Sequence, residues 1–358
     1  MSELDLLYTQ TEEDLRSSVR DVLTDRCDPA AVAASYDGDR SLVHGLWKTL
    51  ATDLGLAGLL VPEERGGAGA SAREAAVVLE ELGRAVAPVP FLTSAVVATT
   101  ALRDAEGDLL GQLASGERTV ALVVPLSTGP DGTLPAAEVK DGRLSGTVTS
   151  VAGALEADVL LVLAGSTLYA VAASDAVRTP VVSLDMTRQL ADISLDGAAG
   201  TAIVADAEPV VRRALRAGAA LLASEQLGVA RWCLEETVGY LKQRKQFGRV
   251  VGGFQALKHR LADLAIGVDS ANAAARYAAA TLAAADPDIE IAAAVAQGYC
   301  GDVAVTAAEE AVQLHGGIGM TWEHPVHLYL KRAKADQIAF GTSGAHRANL
   351  AHLIDLAI

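Results

Sequence analysis

Between positions 206 and 358 the chain contains only three prolines, Pro209, Pro287 and Pro325. A proline inside a helix removes a backbone donor and clashes with the preceding turn, so each marks a place where a long helix has to begin or end. The spacing predicts uninterrupted helices over about 209–245, 251–285, 287–316, 324–339 and 343–356. The run ANAAARYAAATLAAA at 271–285 is strongly helix-forming and narrow-sided, which suits close helix packing.

Upstream the pattern changes twice. Residues 1–118 read as helical. Thr11 suggests a capped start for LRSSVRDVLTD, and SLVHGLWKTLATDLG and SAREAAVVLEELGRAVA repeat the helical spacing of apolar residues. The intervening LVPEERGGAGAS is a Pro/Gly loop. Its GGAG lacks the strand–glycine–helix setting of a dinucleotide fingerprint. Residues 119–205 hold TVALVVPL, RLSGTVTSV, DVLLVLAG, TLYAVAA, TPVVSL and TAIVA, short β-branched runs separated by Gly, Asp, Ser and Pro. Such runs predict a small antiparallel sheet domain. The expected fold class is mainly α with a small β domain, divided at 1–118, 119–205 and 206–358.

Composition excludes some functions. The net charge of −16 argues against non-specific nucleic-acid binding, which needs an excess of Lys and Arg. Arg244, Lys245, Arg249, Lys258, His259 and Arg260 nevertheless make 244–260 locally basic. No uninterrupted apolar run approaches the roughly 18–20 residues that cross a bilayer, and the acidic N-terminus has no signal-peptide core. Cys27, Cys233 and Cys300 have no metal-ligand spacing and read as free thiols in a reducing cytoplasm.

Two motifs carry chemistry. The stretch RKQFGRVVGGFQALKHRLAD at 244–263 has an Arg three positions before Phe-Gly and a Phe-Gln seven beyond that Phe, and QLHGGIG follows at 313–319. Together they resemble the flavin-clasping half of the acyl-CoA dehydrogenase family. The order helical domain, β domain, four-helix-bundle domain is similar to that family over essentially the whole chain. The resemblance implies FAD lying across a subunit interface, its pyrophosphate and adenosine gripped by Arg244, Phe247, Gln313, Gly316 and Gly317. Arg offers several donors to phosphate oxygens at once, and glycines let backbone amides approach closely.

The rest of the family's site is missing. Where the family carries its glutamate base, immediately before Gly341 in QIAFGTS, this chain has Phe340; the alternative base position on the first C-terminal helix is Gly218. A benzyl group cannot take a proton from carbon. The flavin-ring segments correspond to Val123-Val124-Pro125 and Ser150-Val151-Ala152-Gly153, which lack the family's Thr-Glu-Pro and Trp-Ile-Thr. Glu225 lies seven residues beyond Gly218, either an unusual base or a semi-buried helix residue. Asp263 and Glu309 read as fold or interface carboxylates. Thr342 and Ser343 are minor candidates for nucleotide contact, and Arg332 for a charge near the subunit contact.

These departures resemble the degenerate subunit of actinobacterial α2β2 dehydrogenases of steroid side-chain breakdown. That resemblance implies no catalytic residue and no metal in this chain. It implies a partner subunit that carries the glutamate and most of the acyl-CoA site, with electron-transfer flavoprotein as acceptor. Two other readings stay open: a homo-oligomeric flavoenzyme with a relocated base, and a flavin-free scaffold.

Overall fold

The computed structural model describes residues 4–356. The first helix begins one step before the expected cap. Thr9, not Thr11, is the N-cap. Its hydroxyl accepts from the Glu12 amide (3.2 Å) and the Glu12 carboxylate accepts from the Thr9 amide (2.6 Å), closing a capping box. Helices α1 (Gln10–Arg26), α2 (Pro29–Ala34), α3 (Ser41–Lys48), α4 (Ala72–Arg84), α5 (Thr99–Leu102) and α6 (Leu109–Ala114) form the N-terminal part. The segment Phe91–Ala98 ahead of α5 winds as a wide π-type helix, buried at every residue.

The middle part is two four-stranded sheets packed face to face. The strands are β1 (Val120–Leu122), β2 (Glu138–Lys140), β3 (Arg143–Ala152), β4 (Val159–Ala164), β5 (Thr167–Ala172), β6 (Val177–Val181), β7 (Leu190–Ala199) and β8 (Thr201–Val204). One sheet has the order β1-β4-β5-β8, the other β2-β3-β7-β6. The antiparallel expectation needs one correction: β1 and β4 pair in parallel. The run VLLVLA in β4 is apolar at consecutive positions because both its faces are covered. Leu160 and Val162 join the core between the sheets, while Leu161 and Leu163 join the helical core. Strand β7, LADISLDGAA, alternates in burial, and the sequence reading missed it.

The C-terminal part is the predicted bundle: α7 (Glu208–Gln243), α8 (Gln255–Ala283), α9 (Ile289–His315), α10 (Val326–Ile338) and α11 (Ser343–Leu353). Helix α7 runs through the middle and is buried around its whole circumference from Ala217 to Ala230. It crosses α4 at backbone contact. A Cβ on Gly228 would lie 2.0 Å from the Glu80 carbonyl oxygen, and one on Gly83 would lie 2.1 Å from that of Glu225. Between α7 and α8 a hairpin of β9 (Lys245–Gln246) and β10 (Arg249–Val250) turns at Phe247 and Gly248, with φ of 54° and 72°. Positive φ at both turn residues is the twist-matched two-residue hairpin geometry. By averaged hydropathy one stretch, Ile289–Met320, is long and apolar enough to cross a membrane, but 67% of that window is buried within the protein.

Candidate functional site

The residues that replace the expected base and ring pocket come together at one point. Phe340 is 4% exposed, and its ring lies against Gly218 and Val97. Val124, Pro125, Ala152 and Leu215 complete the wall, leaving a cavity of about 20 Å³, room for about one water and far too small for a flavin ring. The backbone that presents Phe340 is firmly held. Its amide donates to the Leu126 carbonyl (2.7 Å), its carbonyl lies 2.9 Å from His346 Nε2, and Gln297 Nε2 donates to the Ala339 carbonyl (3.0 Å). Phe340 and Gly341 adopt φ of 53° and 102°. Thr342 is the N-cap of α11, accepting from the Ala345 amide, and Ser343 is buried against Gly301 of α9. Thr342 is thus an exposed helix cap and Ser343 a buried packing residue.

Glu225 is not semi-buried but 1% exposed, and Arg332 is not a surface charge but 1% exposed. They meet in a buried network that sequence reasoning did not find. Arg332 Nε donates to Asp185 (2.6 Å), its Nη2 to the Thr187 hydroxyl (2.6 Å) and its Nη1 to Glu225. Arg188 bridges both Glu225 oxygens (2.6 Å) and Asp336. Two guanidinium groups thus face three carboxyls. Burial alone would raise Glu225, but Arg188 and Arg332 override it and hold that carboxyl below its ordinary range. Burial and the neighbouring Glu225 charge push Asp336 up to about 8. A fully ion-paired, sealed carboxylate with a lowered pKa is a poor proton acceptor, which removes Glu225 as a relocated base. The network ties the loop after β6 to α7 and α10. The sequence carries no local signal for it, because two of the contributing segments, SLDMTRQ at 183–189 and KRAKADQ at 331–337, are polar in composition.

The two flavin-clasping motifs meet at one end of the bundle. Arg244 is the C-cap of α7, its amide donating to the Tyr240 carbonyl. The Tyr240 ring stacks on His315, at 4.5 Å between centroids, and His315 lies between Gln313 and Gly316. Arg244, Gln313, Gly316 and Gly317 are all solvent-exposed, and Phe247 is 88% exposed at the hairpin tip, edge-on to Phe254. Among the described residues no carboxylate lies within ion-pairing distance of Arg244, whereas Arg260 of the same basic stretch is paired with Glu310. An unpaired guanidinium beside exposed glycine amides suits an anionic group brought from outside the chain. Asp263 sits exposed on α8, and Glu309 pairs with Lys334 (2.8 Å) on the surface.

The acyl-CoA dehydrogenase N-terminal domain model matches residues 9–116, and the C-terminal domain model matches residues 209–354. "Acyl-CoA dehydrogenase IpdE2" of Mycolicibacterium smegmatis is 36% identical over 329 residues, spanning 91% of this chain and 93% of that protein. The chain belongs to the acyl-CoA dehydrogenase family. Among solved structures, a steroid dehydrogenase variant of Tcur3481–Tcur3483 superposes with a TM-score of 0.84 at 31% identity, covering 97% of this chain and 98% of that one. The ChsE4–ChsE5 complex from Mycobacterium tuberculosis gives 0.85 at 28% identity, covering 99% and 100%.

A chain that holds a flavin ring and an acyl group by itself needs an open cleft with polar ring contacts. Here the space among the residues expected to face the ring is filled by Phe340 and lined by Val124, Pro125 and Ala152. The residues present do not fit an isoalloxazine ring. The end of the bundle carrying Arg244 and Gln313 presents exposed donors, with no carboxylate paired to Arg244 among the described residues, the chemistry a pyrophosphate takes.

Proposed function

We propose that this chain is the base-lacking subunit of a heteromeric FAD-dependent acyl-CoA dehydrogenase. The observation that carries the reading is the Phe340 ring packed on Gly218, both usual base positions closed by one contact. The chain, in three parts set at 1–118, 119–205 and 206–358, assembles with a second subunit that carries the glutamate, the flavin-ring pocket and most of the acyl-CoA site. The assembly is α2β2 with one FAD per αβ pair, in the cytoplasm, with electron-transfer flavoprotein as acceptor. When bound, FAD supplies a hydride acceptor for α,β-desaturation of an acyl-CoA; the similarity to steroid dehydrogenases favours a steroid side-chain thioester.

This chain's own residues bind and orient. Arg244 pairs with the pyrophosphate, Phe247 packs against the cofactor, and Gln313 with the Gly316 and Gly317 amides holds the adenosine side. Phe247 at 88%, Met320 at 79% and Trp322 at 67% exposure leave apolar surface at that end for a partner to cover. The test is flavin content. Purified alone, the chain is expected to be colourless; co-expressed with its partner, the complex is expected to carry one FAD per heterodimer. A yellow, stoichiometrically flavinated chain on its own would contradict the reading.

A further inference from the structure

Three ligand-type side chains from three elements converge beside the Tyr240–His315 stack: Glu236 on α7, His315 on the last turn of α9 and His324 just before α10. One oxygen of Glu236 and one ring nitrogen from each histidine lie within 4.8 Å of one another. The His315 and His324 rings are 4.3 Å apart, and His324 Nε2 is 3.8 Å from Glu236 Oε1.

His315 supplies the second observation. Its ring is 3% exposed, and Nδ1 lies 2.7 Å from the Ala311 carbonyl. A carbonyl only accepts, so Nδ1 carries the proton and Nε2 keeps an in-plane lone pair. That Nε2 is buried without any partner. A backbone carbonyl fixing one imidazole nitrogen while the other stays free is the arrangement that orients metal-bound histidines.

We propose that Glu236, His315 and His324 bind a divalent transition-metal ion, with Zn2+ the best match, through one carboxylate oxygen and the two Nε2 atoms. Two imidazoles and one carboxylate, with a position left for water, is an N2O set suited to Zn2+. Ca2+ and Mg2+ are disfavoured, since they want oxygen ligands throughout. Bonds of about 2.0–2.2 Å require the donors to close in by roughly 1 Å. Glu236, with its side chain 44% exposed, is free to supply that movement. His324 must surrender one contact: the Val326 amide donates to its Nδ1 at 3.3 Å, and ligation through Nε2 puts the proton on Nδ1 instead. That contact is at the long limit of a hydrogen bond, weaker than the metal bond replacing it. A bound ion would tie α7 to the turn between α9 and α10. The inference stands on this geometry and does not depend on how the chain uses flavin.

The test uses Co2+ as a spectroscopic probe on the full chain after chelator dialysis, in whatever assembly it forms. The expected result is one Co2+ per chain, the visible bands of tetrahedral Co2+, displacement by Zn2+, and a metal-dependent rise in Tm. Glu236→Gln and His324→Asn are each expected to weaken Co2+ binding by at least about 10–100-fold. Both sites are partly solvent-facing, so the Tm of the metal-free variants should stay close to the parent. His352→Gln, on the exposed end of α11, is the control for surface histidines and should bind as the parent does. Absence of the tetrahedral bands, binding unaffected by Glu236→Gln and His324→Asn, or an equal loss in His352→Gln would overturn the proposal and leave a hydrogen-bonded cluster only.

Discussion

A Cβ built on Gly218 would lie 2.8 Å from Cζ of Phe340, so the phenyl ring fits only because position 218 has no side chain. The two residues are 122 positions apart (340 − 218), yet they are one steric unit. On the proposed reading these are the two positions that would hold a base, and the pair leaves neither a carboxylate nor open space there.

The isolated chain is expected to show no acyl-CoA-dependent dye reduction, since a missing positioned base typically costs ~10²–10⁴-fold. Phe340→Glu should not restore it, because Val124, Pro125 and Ala152 still offer nothing to a flavin ring. That substitution also places a carboxylate where Phe340 is 4% exposed, so its Tm should fall. Family-typical rates from the unaltered chain, or rescue by Phe340→Glu, would show that the site is functional after all.

The buried network sets an alkaline limit on stability. The folded-state pKa of Asp336, about 8, lies above its ordinary 3.8. Its neutral carboxyl therefore contributes fully below about pH 4, and that contribution is lost as pH rises through about 8. Glu225 and Asp185, held low by the arginines, lose theirs only on acidification. Asp336→Asn keeps an acceptor for Arg188 and removes the ionisation. Urea midpoints of parent and variant are expected to diverge in the variant's favour as pH rises toward about 8, with similar acid limbs. Parallel curves would mean that Asp336 is ionised in the folded protein.

Breaking the same network from the other side should be costly. Glu225→Gln leaves Arg188 and Arg332 short of a negative partner inside the protein, a change expected to cost about 3–5 kcal/mol. Calorimetry or urea unfolding at neutral pH measures it, and a loss below about 1 kcal/mol would show that water reaches the network.

The α4–α7 crossing should tolerate no side chain. Gly228→Ala must push a methyl into the Glu80 carbonyl at 2.0 Å, and overpacking of this kind typically costs about 1–3 kcal/mol. Gly239→Ala, on the same helix with nothing within 4 Å of its Cβ, should instead gain several tenths of a kcal/mol from helix propensity. Thermal melts of the two variants should move in opposite directions.

Much of this molecule was legible because proline spacing and β-branched runs report local backbone preference. All five C-terminal helices were anticipated, with ends a few residues off, such as 251–285 against Gln255–Ala283. Strand β7 was missed because LADISLDGAA has weak β composition and owes its state to pairing with β3 and β6. The burial of Arg332 was illegible for a similar reason: nothing local says that Asp185 and Glu225, 147 and 107 positions away, will surround it. The identity of Phe340 was plain in the sequence, but its contact with Gly218 needed the fold. The exposure of Arg244 and Gln313 at one bundle end also needed it, through the Tyr240–His315 stack.

The central claim, that this chain lends cofactor contacts to a partner's active site, is tested most directly by Arg244→Ala in the co-expressed complex. Arg244 is exposed at the end of α7 and has no salt-bridge partner among the described residues, so the variant should fold and assemble. Loss of a charge-assisted contact worth about 1.5–3 kcal/mol should weaken FAD affinity by roughly 10–150-fold in a flavin titration of the apo-complex. Stopped-flow reduction of the FAD that remains bound should proceed at nearly the parent rate if, as proposed, the ring and base belong to the other subunit. Unchanged FAD affinity in Arg244→Ala would contradict the account.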